Sequence, residues 1–423
     1  MFDPTTHSLK RGLPGTKETV AMLAGLMALN AFAIDAMIPA LPQIGADLGV
    51  ASENERQLVV ICYFFGFGST QLIWGPLADR FGRKPVLAAG ILLYVLFATL
   101  CGIAGSFPLL IASRIAMGAS AAVTRVLVVA MVRDLFDGEA MARIMSLVFM
   151  VFMVVPVLAP SVGQGILLLA PWRGIFMVLA VYGLVMLIWA WIRLPETLHP
   201  EFRRSLKLSE IGAGIGATLR DRQSLGYTVA LAAIFGGLTA YIASIQQIVF
   251  DVFHAPAAIG IVFASIAAPM SLASWYNSKV VTRFGLRRVG HLGVIAFCAV
   301  TLAHVLIAET IAEPLWLFAL MQSLAMSAFA FTSANLSTLA MENMAPIAGT
   351  ASSVQGVIGT MGGAGLGLAI GQSFDGTQLP FLLGIAGCGM LGLVLTLITE
   401  KGRLMRDPLQ PALLVEEQVQ FPE

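Results

Sequence analysis

Gly75-Pro-Leu-Ala-Asp-Arg-Phe-Gly-Arg-Lys-Pro-Val86 is a short polar interruption in an otherwise apolar chain. A worn copy, Ser278-Lys-Val-Val-Thr-Arg-Phe-Gly-Leu-Arg-Arg-Val289, recurs in the second half. Arg-Phe-Gly followed by basic residues stands in the same place in both, after one long apolar run and before another. A loop that repeats together with its apolar flanks implies an internal duplication with parallel halves, a feature of transporter folds.

Outward from these loops, twelve apolar runs approach the roughly 20 residues that a bilayer-crossing helix needs. They cover 20–40, 57–77, 86–105, 107–132, 144–169, 174–193, 226–250, 258–278, 290–309, 315–340, 347–373 and 380–399. Only Ser106 parts the third from the fourth, which predicts a tight hairpin. Composition agrees: of 423 residues, 58% are hydrophobic and 12% charged, with a mean hydropathy of +0.86. Soluble domains carry about 25% charged residues, so lipid is the expected solvent. The first run is too long for a cleaved signal and lacks a small-residue cleavage site, so it is expected to be retained.

Charge orients the helices. With both termini placed inside, 21 of the 25 Lys and Arg residues fall in inside loops, while Arg56 and Arg173 fall outside and Arg114 and Arg125 within spans. That satisfies the positive-inside rule in nearly every loop and predicts cytoplasmic termini. The one long polar segment between spans, Pro195 to Gln223, divides the chain. The expected organisation is a six-helix half over 1–195, a surface linker over 196–223, a second six-helix half over 224–400 and a cytoplasmic tail over 401–423. The expected fold is therefore an all-α membrane protein of two pseudo-symmetric six-helix halves.

These residues resemble the major facilitator superfamily over nearly the whole chain. Gly75-x-Leu77-x-Asp79-Arg80-x-Gly82-Arg83-Lys84 is similar to the family's loop between its second and third helices. Arg114 with Gly118 resembles the motif of proton-coupled members. Pro156-x-x-Ala159-Pro160-x-x-Gly163 resembles the antiporter motif of the Bcr/CflA drug-resistance branch, and Asp35 with Pro39 and Pro42, Trp172-Arg173 and Pro195-Glu196-Thr197-Leu198 fit the same branch. Gln164 stands where a second glycine is common, and Thr282 replaces the acidic residue of the second loop. The resemblance implies a cytoplasmic gate in which Asp79 meets the N-terminal end of the eleventh helix and Arg83 reaches Asp134.

Charges at mid-bilayer cost several kcal/mol and mark function by default. Asp35 is the one carboxylate well inside a span, and Arg114 and Arg125 are the cations. Asp35 lies ~7 Å before the outer end of the first span and Arg114 ~10 Å below the outer end of the fourth, at ~1.5 Å per residue. Their matched depth allows them to pair, and such a pairing, made and broken, would load and release a proton. Arg125, eleven residues further on, shares Arg114's face and sits ~16 Å nearer the cytoplasm. Substrate contacts are expected from Asp35, Arg114, Arg125, Tyr241, Gln246 and Gln322; Gln247, Asn335, Tyr63, Trp275 and Tyr276 are weaker candidates. His304 reads as a packing residue.

Several classes are excluded. No Lys precedes a Ser or Thr, so there is no nucleotide-binding P-loop, and neither the zinc-protease His-Glu-x-x-His nor the Gly-x-Ser-x-Gly motif occurs. Cys62, Cys101, Cys298 and Cys388 are too scattered for a metal site or disulfide framework. The expectation is a monomeric inner-membrane antiporter, not an enzyme, with no cofactor, metal or nucleic-acid partner. It would export small amphipathic compounds or antibiotics in exchange for protons. A symporter or exporter of a single metabolite is the near alternative, and an intramembrane enzyme or receptor the remote one.

Overall fold

The computed structural model describes residues 15–50, 52, 54–136, 138–199, 201 and 208–405. The tail before residue 15, the charged linker residues 202–207 and the tail from 406 onward lie outside the described residues. All regular structure among the described residues is helical. The helices are α1 (Thr16–Asp35), α2 (Leu41–Asp47), α3 (Leu58–Ser69), α4 (Gln71–Phe81), α5 (Arg83–Gly102), α6 (Phe107–Leu135), α7 (Gly138–Leu167) and α8 (Arg173–Arg193). They continue with α9 (Leu208–Arg220), α10 (Arg222–Gln247), α11 (Ile259–Phe284), α12 (Leu286–Thr310), α13 (Leu315–Met341), α14 (Ala348–Gln372) and α15 (Leu379–Thr399).

Among the described residues ten helical segments are long and apolar enough to cross a bilayer, and α3 with α4, bent by 44° at Thr70, makes an eleventh. The expected fifth span falls on α7, whose described apolar stretch, Val154–Leu167, is shorter than a full crossing. Large apolar side chains such as Leu96, Ile103, Val181, Ile192, Leu306 and Ile398 point outward. This outward greasiness suits lipid, and a helix satisfies its own backbone there.

Proline shapes the two helices that matter most. In α1 regular helix stops at Asp35, because Pro39 has no N–H to give the carbonyl of Asp35; the chain continues as a 3₁₀ turn over Ile38–Ala40 and then α2. In α7, Pro160 likewise leaves the carbonyl of Pro156 without its helical donor.

Packing sorts the helices into two sets. Within the first, α1 lies on α6, α7 and α8, while α6 also packs on α3 and α5. Within the second, α10 lies on α13, α14 and α15, and α13 on α11 and α12. The sets meet where α14 crosses α3 and α4, and where α11 crosses α7. The end of the bundle carrying Arg83 and Arg287 is called the basic end below, and the opposite end the far end.

Candidate functional site

Asp35 is the last residue of α1 and is 4% exposed. One carboxyl oxygen, Oδ1, is buried with no hydrogen-bond partner. The carbonyl oxygen of the next residue, Ala36, lies against Gly163 of α7, where a Cβ would come within 1.9 Å. The glycine of the antiporter-like motif is thus the residue that lets α7 touch the backbone beside Asp35.

Arg114 is fully buried, but it does not pair with Asp35. Its Nε donates to the carbonyl of Val59 at 2.7 Å and its Nη1 to the carbonyl of Ala33 at 3.0 Å. Its guanidinium lies over the Tyr63 ring at 4.6 Å and reaches Phe176 at 5.9 Å. The expected ion pair is therefore absent in this conformation. The two side chains share a depth, but Arg114 donates to the carbonyls of Val59 and Ala33, and its Nη2 is buried without a partner. Tyr63 extends the network, donating to Asn30 at 3.0 Å, and Asn30 donates to Thr124 at 2.8 Å. Gly118 permits this arrangement: a Cβ there would fall 2.1 Å from the carbonyl of Tyr63.

Across the interface, Tyr241 of α10 is buried, its hydroxyl has no partner, and it lies within electrostatic reach of Asp35. Its ring leans on Phe263 at 5.5 Å. Both amide atoms of Gln246 and the hydroxyl of Ser244 are also buried without partners. Buried polar groups are normally satisfied, so these orphans on α10, with Asp35, are the part of the bundle chemically ready for a ligand or water. Gln322 belongs elsewhere. It approaches His304 at 3.4 Å, and His304 pairs with Glu313 at 2.8 Å. Asn335 is spent on Asn277 at 2.8 Å, and Trp275 and Tyr276 are exposed.

Glu313 was not foreseen as a site residue. It lies between α12 and α13, where a carboxylate reads as a loop residue, yet its side chain is 0% exposed. Gln378 donates to its other oxygen at 2.8 Å.

At the basic end, Arg83 binds Asp134 at 3.0 Å and Asp79 at 2.6 Å. Asp79 therefore meets Arg83 one turn along, and among the described residues it makes no bond to the N-terminal turn of α14. The helix N-terminus that does receive a carboxylate is that of α5: Glu196 accepts from the N–H of Arg83 at 2.8 Å and of Lys84 at 3.2 Å. Thr197 adds a bond to Asp134 at 3.2 Å. Gly82 has φ +102°, a conformation that favours glycine, and a Cβ on it would press on the Glu196 carboxylate at 2.6 Å. Gly75 is under no such constraint, since a Cβ would meet only Val126 at 3.9 Å. Arg80 is exposed and stacks on Phe81.

The second set repeats this latch one residue out of register. Arg287, aligned with Lys84 rather than Arg83, binds Glu342 at 2.8 Å and also Glu400, which accepts from Tyr227 as well. The acidic residue missing at Thr282 is thus replaced from the ends of α13 and α15.

The far end is closed by amides. Asn54 donates to the carbonyls of Gln372 and Phe374, each at 3.0 Å, and Gln372 donates back to the carbonyl of Asn54 at 2.8 Å. Gln57 donates to the carbonyl of Gly371 at 3.1 Å and to the side chain of Gln247, which in turn donates to Asn54 at 3.2 Å. This clasp joins the first set to the second, whereas both basic-end latches stay within one set. Trp172 and Arg173 brace the same end of the first set, donating to Asp47 at 2.8 and 3.0 Å.

A profile described as Major Facilitator Superfamily matches residues 23–371. A bicyclomycin resistance protein homolog of Haemophilus influenzae is 28% identical over 377 residues, covering 89% of this chain and 94% of the relative. An uncharacterized MFS-type transporter from Bacillus subtilis is 31% identical over 82% of this chain and 87% of its own length. A multidrug resistance protein of Escherichia coli is 34% identical over 41% of this chain and 44% of its own. Among solved structures, a D-xylose-proton symporter superposes with a TM-score of 0.71 at 15% identity, over 92% of this chain and 98% of that one. A human organic anion transporter superposes with a TM-score of 0.64 at 16% identity, over 90% and 99%. Both structural likenesses concern the fold alone.

Proposed function

The chain belongs to the major facilitator superfamily, and from that footing we propose that it is a proton-driven antiporter exporting small amphipathic compounds, antibiotics among them. It is a multi-pass membrane transporter rather than an enzyme. Direction, driving ion and cargo are the proposed part. Relatives named for bicyclomycin and multidrug resistance support the cargo class.

One observation carries the coupling: Asp35, a buried carboxyl with an orphaned oxygen, at the break in α1 and beside the Gly163 contact. A charge enclosed there costs several kcal/mol that a neutral carboxyl does not. Gain or loss of one proton therefore reweights any conformation that changes the surroundings of Asp35. Arg114 acts by holding the Ala33 carbonyl, which fixes the approach to Asp35 instead of neutralising it. In the proposed cycle twelve helices in two halves rock about this level, with both termini cytoplasmic, as a monomer of the inner membrane. The basic-end latches then face the cytoplasm. The far-end clasp, closed here, supports reading this conformation as the one open inward.

The test is transport in everted vesicles. Drug-provoked proton release from acid-loaded vesicles supports exchange, and co-movement of drug and proton in one direction supports a symporter instead. Asp35→Asn keeps the shape and removes the titrating group, so it should insert normally yet fail to drive uphill export from an imposed pH gradient. Full pH-driven export of a cationic and a neutral probe by Asp35→Asn would refute the assignment.

A further inference from the structure

We propose that Arg125 is an anion-reading group in the transport cavity, so that the preferred cargo carries a carboxylate, sulfonate, phosphate or similarly acidic group. The inference rests on the exporter reading above and deepens it. Arg125 lies eleven residues beyond Arg114 on α6, close to a whole number of turns, and so shares its face. Gly118, Ala121, Val128 and Val132 on that face are buried, as is Arg114, but Arg125 is exposed. Because the other residues of that face are buried against neighbouring helices, the exposed side chain of Arg125 opens into the bundle. Accessible surface inside the protein envelope is the surface of a cavity.

Among the described residues Arg125 makes no hydrogen bond, ion pair or ring contact. Intramembrane cations are normally paired, because an unpaired one is expensive. No described residue takes its guanidinium donors, and their planar fork matches an acidic oxygen pair. The charge inventory points the same way. Between the basic-end latches and the far end, the helices supply Arg114, Arg125 and a single carboxylate, Asp35. Arg114 and Asp35 are both buried, so the accessible charge is that of Arg125, and a cationic cargo would meet repulsion.

The experiment uses proteoliposomes holding the parent chain, Arg125→Gln or Arg125→Lys, under an imposed pH gradient. The probes are a carboxylated fluorophore, its neutral methyl ester and a cationic dye. The parent should favour the carboxylate, and Arg125→Gln should lower its export at least about tenfold, the usual loss for one hydrogen bond to a charged group. Ester export should stay within about twofold, which also shows that the variant folds. Arg125→Lys should recover part of the loss, since it keeps the charge without the fork. Equal loss of both probes overturns the proposal by making Arg125 structural. So does a parental preference for the cationic dye. A response that follows the phosphatidylglycerol content of the vesicle instead of the probe assigns the guanidinium to a lipid phosphate, and also overturns it. If the parent moves none of the three probes uphill, the exporter reading falls, and this inference with it.

Discussion

Replacing Gly163 by alanine tests whether α7 sets the position of Asp35. The new Cβ would sit 1.9 Å from the carbonyl oxygen of Ala36 and 2.8 Å from its carbonyl carbon. Contacts under 3.0 Å are essentially never adopted, so α7 and α1 must part locally by at least about 1.1 Å. The obstacle is backbone, which cannot swing aside like a side chain. Overpacking of this kind costs about 1–3 kcal/mol, or about 5–150-fold in any equilibrium that relieves it. The strain falls beside Asp35, where α1 is already interrupted. Gly165→Ala is the matched control: it lies in the same helix and its Cβ would meet nothing within 4 Å. Both variants gain the same helix propensity, about 1 kcal/mol, so their difference isolates the clash. Purified protein gives the stability difference, and everted vesicles give export under an imposed pH gradient. Gly165→Ala should match or exceed the parent in stability and export within about twofold of it, while Gly163→Ala should be less stable and export poorly. Indistinguishable behaviour of the two would sink the reasoning, because it would mean that the contact with Ala36 constrains nothing.

Three other outcomes follow from the geometry. Glu196→Ala removes the carboxylate from the N-terminus of α5 and should cost about 0.5–2 kcal/mol; unchanged labelling of a cysteine placed at the basic end would show that the latch does not restrain it. Gln57→Ala and Asn54→Ala should each loosen the far-end clasp and increase labelling of a cysteine replacing the buried Ser244 by an impermeant thiol reagent, and parental labelling rates would deny the clasp a gating role. His304→Ala strands Glu313 in a buried site and should cost about 3–5 kcal/mol, with much of that regained in the His304→Ala, Glu313→Ala double variant; simple additivity would show that the pair does not act as a unit.

What the sequence displays well is whatever a bilayer forces into one dimension. Span lengths, the basic loops and the depth of a charged residue all follow from counting along the chain, and Arg83 does lie against Asp134. Azimuth is not countable. Asp35 and Arg114 were matched in depth, but the rotation of α6 against α1 aims the guanidinium at Ala33 and Val59. Glu196 stood in a recognisable tetrapeptide, yet its capping role appears only when the chain after α8 folds back onto α5. Glu313 was hidden by its place between spans. The far-end clasp gave no signal because neutral amides carry none of the cost that makes a buried charge conspicuous. The one-residue slip of Arg287 against Arg83 is invisible to an aligned motif, which pairs letters and not contacts.

The contrast between the two ends has a consequence for the surroundings each can tolerate. The basic-end latches are guanidinium–carboxylate pairs, held by formal charge. The clasp at the far end is built from Asn54, Gln57, Gln247, Gln372 and main-chain carbonyls. None of these groups titrates across the range in which cells live, and none is an ion to be screened. In the proposed orientation, the outward-facing joint between the two sets is held by neutral groups, while the Arg173–Asp47 ion pair at that end lies within the first set. The charged latches face the cytoplasm, and the neutral joint faces the medium that the cell does not control.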